Sequence, residues 1–343
     1  MARFLSSKLH IPYVIVGTAP SMDGYASVVS PLIVDGVKTT FEAVYPLAIV
    51  ADLDIMKAAP MPMLRAGLGD ILGKYTALAD WHLAHVLQEE YFCETVEKLV
   101  RTAVGKCEMV AERLHLRENN TIESLTEALI LSGLAIGMVG VSRPASGEEH
   151  HLSHCWEMMT MNRGKTTPWL HGNNVGVGVG IIAEAYKYLR TLDIEKVFES
   201  GKYLNLDKDQ WKGHLTKVYG RSAPTIISFK EGSLSFDELE RKGNMVRIST
   251  HWKELIKLPR LLVPEPEAIR DTLKIAGAID TPQQLGLDRE TFRDSLIAAK
   301  DIRKRYGVLQ LLEDVGLLEE AANHITGIYY SEPASLDDSV VFV

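Results

Sequence analysis

Cysteine is scarce in this sequence, and its spacing excludes the roles that it most often serves. The 343 residues contain 3 cysteines, Cys93, Cys107 and Cys155. Their number is odd and no two of them have CxxC spacing, so neither a disulfide framework nor a CxxC zinc motif is indicated. This usage favours a reducing compartment. We therefore expect a cytoplasmic protein.

Positive charge is also in short supply. The sequence has 37 Lys and Arg against 45 Asp and Glu, which gives a formal net charge of -8 at pH 7. The basic residues form no long run, whereas a surface that binds nucleic acid needs clustered positive charge. We expect no nucleic-acid partner.

A long hydrophobic run is missing as well. The longest nearly apolar stretch, 128–141, is shorter than the roughly 20 residues that a helical membrane span requires. Ser132, Gly133, Gly137 and Gly140 interrupt it, and such small residues would let a second helix approach closely. The stretch predicts a buried helix and not a membrane span.

Signals for β-strands are few and lie near the start of the chain. Short apolar or β-branched runs occupy 11–16, 28–34, 37–41 and 46–51, the last of which predicts a buried strand. Asp35-Gly36 separates the second run from the third and predicts a two-residue hairpin turn. The remainder has the periodicity of helices. Because 46% of the residues are hydrophobic, the chain can bury a large core, and its length favours two domains.

Residues 146–157 concentrate side chains that can bind a metal. Ser146 and Glu149 have the spacing of a capping box, so a helix should begin there. On that helix His150 and His154 share a face because they are four residues apart. Two imidazoles one turn apart can hold one metal, or one metal and its substrate. Such pairs also occur on protein surfaces or in cores without binding a metal, so spacing alone leaves both interpretations open.

Two further polar residues stand in apolar, glycine-rich surroundings. Asp70 lies within 65–75, where a buried carboxylate needs a partner. Lys74, one turn on, offers an ion pair, and a metal would use the same carboxylate. His171 precedes the glycine run 172–180. That run lacks the GxGxxG spacing of a phosphate loop and predicts a helix stripe against which another backbone can pack.

Four blocks, taken in order, resemble the sn-glycerol-1-phosphate dehydrogenase family. They are residues 18–27, 66–81, 146–154 and 298–306. The similarity is greatest to the bacterial, AraM-like branch of that family, within the dehydroquinate synthase and iron-alcohol dehydrogenase superfamily. It extends from the first residue to about Leu311.

The resemblance implies a dehydroquinate synthase-like fold, α/β plus all-α. Residues 1–57 would be the C-terminal remnant of a Rossmann-like dinucleotide-binding domain, 58–330 a helical metal- and substrate-binding domain, and 331–343 a tail. Family members carry most of the Rossmann-like domain, with its glycine-rich pyrophosphate loop, before the block that matches residues 2–5. We therefore expect an N-terminally truncated chain with weak dinucleotide binding.

The resemblance also implies roles for matching positions. Asp70, His150 and His171 match the ligands of one divalent metal, zinc or nickel. Asp23 and His154 match substrate-contacting positions, with Asp70 near the substrate too, and Asp70 and His154 would be the catalytic residues. The positions that match the lining of the nicotinamide cofactor, NAD(P)H, are Thr18, Ala19, Pro20, Ser21 and Ser27.

The implied reaction is the reduction of dihydroxyacetone phosphate to sn-glycerol 1-phosphate, a precursor of polar lipids. Two histidines and one carboxylate leave a divalent ion an open position, as catalysis requires. Two alternatives remain open: a catalytically inactive metal-binding remnant with a regulatory or assembly role, and a dehydroquinate synthase-like lyase. The blocks around Asp70 and Ser146 favour the dehydrogenase over the lyase. A homo-oligomer is compatible with either lineage.

Overall fold

The computed structural model describes residues 2–34, 37–107 and 109–330. It begins with helix α1 (Ala2–Leu9) and four short strands: β1 (Val14–Val16), β2 (Val29–Val34), β3 (Val37–Glu42) and β4 (Ala48–Val50). β1 pairs with β4 in parallel, and β2 pairs with β3 antiparallel, so the described strands form two separate two-stranded sheets. The four predicted strands are confirmed. The predicted turn Asp35-Gly36 and the predicted tail 331–343 lie outside the described residues.

One expectation about these strands is wrong. The run 46–51 predicts a buried strand, yet Leu47 is 76% exposed and Val50 is 47% exposed. Val14 and Val16 of β1 are exposed as well. The reason is that β1 and β4 have only each other as partners among the described strands, so no layer covers their outer sides.

The rest of the described chain is helical. Its α-helices are α2 (Leu53–Ala58), α3 (Met61–Leu72), α4 (Lys74–Gln88), α5 (Glu94–Gly105), α6 (Val110–Arg113), α7 (Asn119–Val139), α8 (Glu148–Asn162), α9 (His171–Leu189), α10 (Ile194–Ser200), α11 (Lys208–Tyr219), α12 (Ala223–Glu231), α13 (Glu238–Leu262), α14 (Pro266–Ile275), α15 (Arg289–Ala298), α16 (Val308–Asp314) and α17 (Leu318–Tyr329).

Aspartates fix where several of these helices begin. Each accepts hydrogen bonds from backbone N–H groups of the first turn, which have no partner within the helix. These N-caps are Asp52, Asp193, Asp207, Asp237 and Asp288. Helix α7 has the length and hydropathy of a membrane span, and half of its most apolar window is buried inside the fold. It ends at Gly140, whose φ of 83° lies in the left-handed region.

Helix α9 lies at the centre of the core and contacts α3, α8, α14, α16 and α17. The predicted packing of another backbone against its glycines is confirmed at Gly172 and Gly176, whereas Gly180 has only side chains nearby. A Cβ on Gly172 would lie 1.9 Å from the carbonyl oxygen of Ala66, and one on Gly69 would lie 2.2 Å from the carbonyl oxygen of Gly172. The backbones of α3 and α9 therefore touch. This contact brings the end of α3, which carries Asp70, against the start of α9, which carries His171.

Gly172→Ala is expected to destabilise the protein and to weaken metal binding. The new methyl group has no room against Ala66, and overpacking of this kind costs roughly 1–3 kcal/mol or more of the free energy of unfolding. Gly213→Ala is the matched control, because no atom lies within 4 Å of its added Cβ and alanine favours a helix interior over glycine by about 0.5–1 kcal/mol. Urea unfolding and zinc titration measure both effects. Equal stability of the two variants would show that α3 and α9 can move apart freely.

Candidate metal centre and active site

Three elements bring the predicted metal ligands together. Asp70 lies in the last turn of α3, His150 in the first turn of α8, and His171 is the first residue of α9. One donor atom from each lies within 4.8 Å of the other two. His150 Nε2 is 3.4 Å from Asp70 Oδ1. The geometry is therefore that of a pocket in which a single ion can meet all three side chains.

Helix α8 begins near the predicted position, but its cap differs from the prediction. The N-cap residue is Gly147, not Ser146, and the helix begins at Glu148. Glu149 Oε1 accepts from the backbone N–H of Gly147 at 2.7 Å and not from that of Ser146, so the predicted capping box does not form. The cause is Asp80, whose Oδ2 accepts from the N–H of Glu148 at 2.7 Å. A Cβ at position 147 would lie 2.6 Å from that same oxygen, so the position requires glycine.

Each of the two histidine ligands is held by a carboxylate. His150 Nδ1 is 2.7 Å from Glu149 Oε1, and His171 Nδ1 is 3.0 Å from Glu157 Oε1. A carboxylate at Nδ1 fixes the tautomer and orients the ring, which leaves the other nitrogen to bind a metal. Burial lowers the pKa of His150, but its contacts with Asp70 and Glu149 outweigh burial and raise the pKa overall.

Glu157 was missed by the sequence analysis. It lies seven residues after His150 and three after His154, which places it on the same face of α8. That spacing is a signal in the sequence, although a glutamate on a helix is common. His151, by contrast, points away from the site. It is buried, burial together with Arg305 lowers its pKa well below the usual value, and neither ring nitrogen has a hydrogen-bond partner among the described residues.

Lys74 is a further member of the site, and it joins two aspartates. Its fully buried ammonium lies 2.9 Å from Asp23 Oδ2 and 3.2 Å from Asp70 Oδ1. The Asp23 backbone N–H donates to Asp70 Oδ2 at 2.7 Å, and Ser132 Oγ donates to Asp23 Oδ2 at 2.8 Å. Burial alone would raise the pKa of Asp70, but Lys74 and His150 lower it well below the usual value. The ion pair expected between Asp70 and Lys74 is therefore present, and the carboxylate stays charged for a metal.

The residues predicted to line the cofactor lie on the loop beside this site. Thr18 is exposed, Ala19 and Ser21 are half-buried, and Pro20 is buried. A Cβ on Gly67 would lie 1.9 Å from the carbonyl oxygen of Pro20, so the loop rests directly on α3.

Ser27 differs from the other loop residues because it is buried. Its Oγ accepts from Arg3 Nη1 at 3.3 Å and lies beside the backbone of Val29. Its hydroxyl therefore faces Arg3, and its role in cofactor binding stays a prediction.

His154 lies beside the three ligands without completing their set. Its ring centroid is 6.2 Å from that of His150 and 5.4 Å from that of His171, and the side chain is half-buried. The Asp70, His150 and His171 set has the composition of catalytic zinc sites, which combine nitrogen and oxygen ligands and leave one position open. The residues present therefore fit a divalent metal.

Comparisons with known proteins identify the family and the fold. A family model described as iron-containing alcohol dehydrogenase matches residues 1–60. The glycerol-1-phosphate dehydrogenase (NAD(P)+) of Geobacillus thermodenitrificans is 35% identical over 320 residues, which are 93% of this chain and 70% of that protein. The enzyme of the same name from Bacillus velezensis is 41% identical over 314 residues, 92% of this chain and 67% of that protein.

Relatives also occur in archaea, and solved structures share the fold. The glycerol-1-phosphate dehydrogenase (NAD(P)+) of Pyrococcus horikoshii is 31% identical over 332 residues, 96% of this chain and 72% of that protein. The crystal structure of a probable glycerol dehydrogenase from Sinorhizobium meliloti 1021 has a TM-score of 0.57 at 14% identity and covers 97% of this chain and 74% of that one. The predicted dehydroquinate synthase-like fold is thereby confirmed. The chain belongs to the glycerol-1-phosphate dehydrogenase family of NAD(P)-dependent oxidoreductases.

Proposed function

We propose that this chain binds one divalent metal ion, zinc or nickel, at Asp70, His150 and His171 and reduces dihydroxyacetone phosphate to sn-glycerol 1-phosphate with NAD(P)H. The observation that carries the proposal is the convergence of these three donors within 4.8 Å, at a place where carboxylates orient both imidazoles. The names of the relatives supply the phosphate substrate and the dinucleotide.

The charges of the buried groups support a divalent cation. Asp23, Asp70 and Glu149 are buried carboxylates, and Lys74 is the buried ammonium among them. With the imidazoles neutral, as metal ligands must be, three negative charges and one positive charge leave a net charge of -2. One divalent ion neutralises that charge. Without it, protonation of His150, whose contacts with Asp70 and Glu149 raise its pKa, would offset only part of that charge, and uncompensated charge in the interior is costly.

The residues around the ligands divide the work of the reaction. When bound, the ion supplies polarisation of the substrate ketone and stabilisation of the alkoxide that hydride transfer produces. Glu149 fixes the orientation of the His150 ring, and Glu157 fixes that of the His171 ring. Lys74 holds the carboxylate of Asp23 next to Asp70. In that position the Asp23 carboxylate can accept a hydrogen bond from a substrate hydroxyl. His154 is placed to donate a proton to the alkoxide oxygen from its position beside His150 and His171.

The loop carrying Thr18 to Ser21 would hold the nicotinamide end of the cofactor. Pro20 rests on α3 beside Gly67, and the backbone N–H of Asp23 at the end of the loop donates to Asp70, so the loop is anchored beside a metal ligand. A cofactor bound here would supply the hydride close to the metal site.

The test is NAD(P)H oxidation by the protein loaded with zinc or with nickel in the presence of dihydroxyacetone phosphate. The cofactor is varied up to millimolar concentrations so that weak dinucleotide binding is also detected. We expect metal-dependent turnover whose product is the sn-1 enantiomer, as determined by a stereospecific assay. If the protein binds one metal ion per chain but oxidises no NAD(P)H, the proposed metal site is retained and the proposed reaction is rejected. In that case the metal-binding, non-catalytic alternative would stand.

A further inference from the structure

A second set of potential ligands lies beside the first. His154, Glu157 and His171 each place one donor atom within 4.8 Å of the others. The set has the same composition as the first, two imidazoles and one carboxylate. His154 is one turn beyond His150 on α8, and Glu157 is almost one turn further, so a single helix face supplies ligands to both sets. We call the two sets the inner set (Asp70, His150, His171) and the outer set (His154, Glu157, His171).

The outer set is partly exposed, whereas Asp70 and His150 of the inner set are buried. The side chains of Glu157 and His171 are 18% and 19% exposed, while those of Asp70 and His150 are 1% and 7% exposed. The rings of His154 and His171 are nearly parallel, with an interplanar angle of 25°. An ion arriving from solvent meets the outer set before the inner one.

We propose that the outer set is a second binding site for a zinc-type divalent cation, and that its occupation inhibits the enzyme. Only the inhibition rests on the proposed function; the binding does not. Imidazole nitrogens with one carboxylate suit zinc, nickel or copper and do not suit magnesium or calcium, which prefer oxygen ligands. An ion in this position takes the place of the hydrogen bond between His171 Nδ1 and Glu157 Oε1. The Nδ1 proton is released to solvent, so His171 bridges the inner and the outer ion as an imidazolate.

Two features make the outer site the weaker of the two. Its only carboxylate is Glu157, whereas the inner set lies among Asp23, Asp70 and Glu149. His171 belongs to both sets, so a second ion shares a ligand with the first, and two cations so close together repel each other. The outer site therefore fills at higher metal concentration.

Occupation of the outer site disturbs the reaction in two ways. It engages His154, the residue placed to hold or protonate the substrate. It also lies on the more exposed side of the inner set, where the substrate must approach. Excess metal is therefore expected to compete with dihydroxyacetone phosphate.

The test is calorimetric titration of the chelator-stripped protein with zinc alone. The wild-type chain should bind two zinc ions, the second more weakly. Glu157→Gln keeps an oxygen that can accept from His171 but loses the carboxylate. It should weaken the second event by roughly 10- to 100-fold or more and the tight event by less, because the amide oxygen can still orient His171. Asp70→Asn should lose the tight event and keep the weaker one. His115→Gln, at an exposed histidine outside both sets, is the control for adventitious binding and should match the wild type.

Each outcome decides the proposal. A single zinc ion on the wild-type chain, or two ions with unchanged affinities on Glu157→Gln, would overturn it. If Glu157→Gln is shown by circular dichroism to be unfolded, His154→Asn replaces it with the same expectation. In an active preparation, micromolar excess zinc should raise the KM for dihydroxyacetone phosphate in the wild type and have less effect in Glu157→Gln. Absence of all activity would reject the proposed reaction and leave the result of the titration standing.

Discussion

His171→Ala should release the bound metal and lower turnover by roughly a thousandfold or more, which corresponds to about 4 kcal/mol of transition-state stabilisation. The histidine contributes one of three donors to the inner set, and its ring is held in place by Glu157 at 3.0 Å. Alanine offers no donor, and α9 carries no other histidine. His150→Ala and Asp70→Asn should also empty the inner set.

The measurement is the metal content of the purified variants together with turnover. His171→Ala differs from the other two variants because it belongs to both sets, so it should lose both zinc ions while Asp70→Asn keeps the weaker one. His324→Ala is the control, since His324 is exposed and its ring packs against Tyr188. Wild-type metal content in His171→Ala would remove His171 from the ligands.

Local signals mark the three residues as candidates, and the resemblance to the family combines them into one ligand set. His150 is one turn from His154, and His171 and Asp70 each have glycine-rich, apolar neighbours. Asp70 and His150 lie in two of the four matching blocks, whereas His171 lies outside the blocks and matches the third ligand position. The glycine run 172–180 predicts that another backbone packs against this helix, but it does not identify α3 as the partner.

The features that the sequence does not predict depend on contacts between segments that are far apart in sequence. The start of α8 is one residue later than predicted because Asp80, 68 residues away in sequence, accepts from the N–H of Glu148. Lys74 was weighed only as a partner of Asp70, since nothing in the local pattern places Asp23 within 2.9 Å of its ammonium. The strand β4 was expected to be buried because an apolar run indicates burial but does not specify what covers it.

Lys74→Met should lower the free energy of unfolding of the metal-free protein by about 3–5 kcal/mol, the cost of removing one partner of a buried ion pair. Methionine nearly matches the length of lysine and fills the same space, so the change removes mainly the charge. Asp23 and Asp70 then face each other with no ammonium between them. Zinc should recover part of the loss, because a divalent ion on Asp70 supplies positive charge in the same place.

The pH dependence of this variant follows from the pKa of Asp70. In the wild type Lys74 and His150 outweigh burial and lower that pKa, so the stability it contributes is present above the unfolded pKa and is lost only as pH falls through the lower folded value. Without Lys74, less positive charge opposes the effect of burial, so the pKa of Asp70 rises. The folded variant then binds a proton more readily than the wild type, and the gap between their stabilities should narrow as pH falls from 8 to 5.

Urea unfolding of the metal-free proteins at pH 8 and pH 5, and again at pH 8 with saturating zinc, measures all three effects of Lys74→Met. Lys98→Met is the matched control. That lysine is 64% exposed, with its Nζ 3.5 Å from Glu94 Oε2, and an exposed pair of this kind contributes little to stability. If Lys74→Met unfolds at the same urea concentration as Lys98→Met at pH 8, Lys74 does not neutralise the two aspartates. A loss of unfolding free energy in Lys74→Met that is just as large at pH 5 and with zinc would give a different result. It would indicate a packing defect, because neither protons nor zinc would have compensated for the missing ammonium charge.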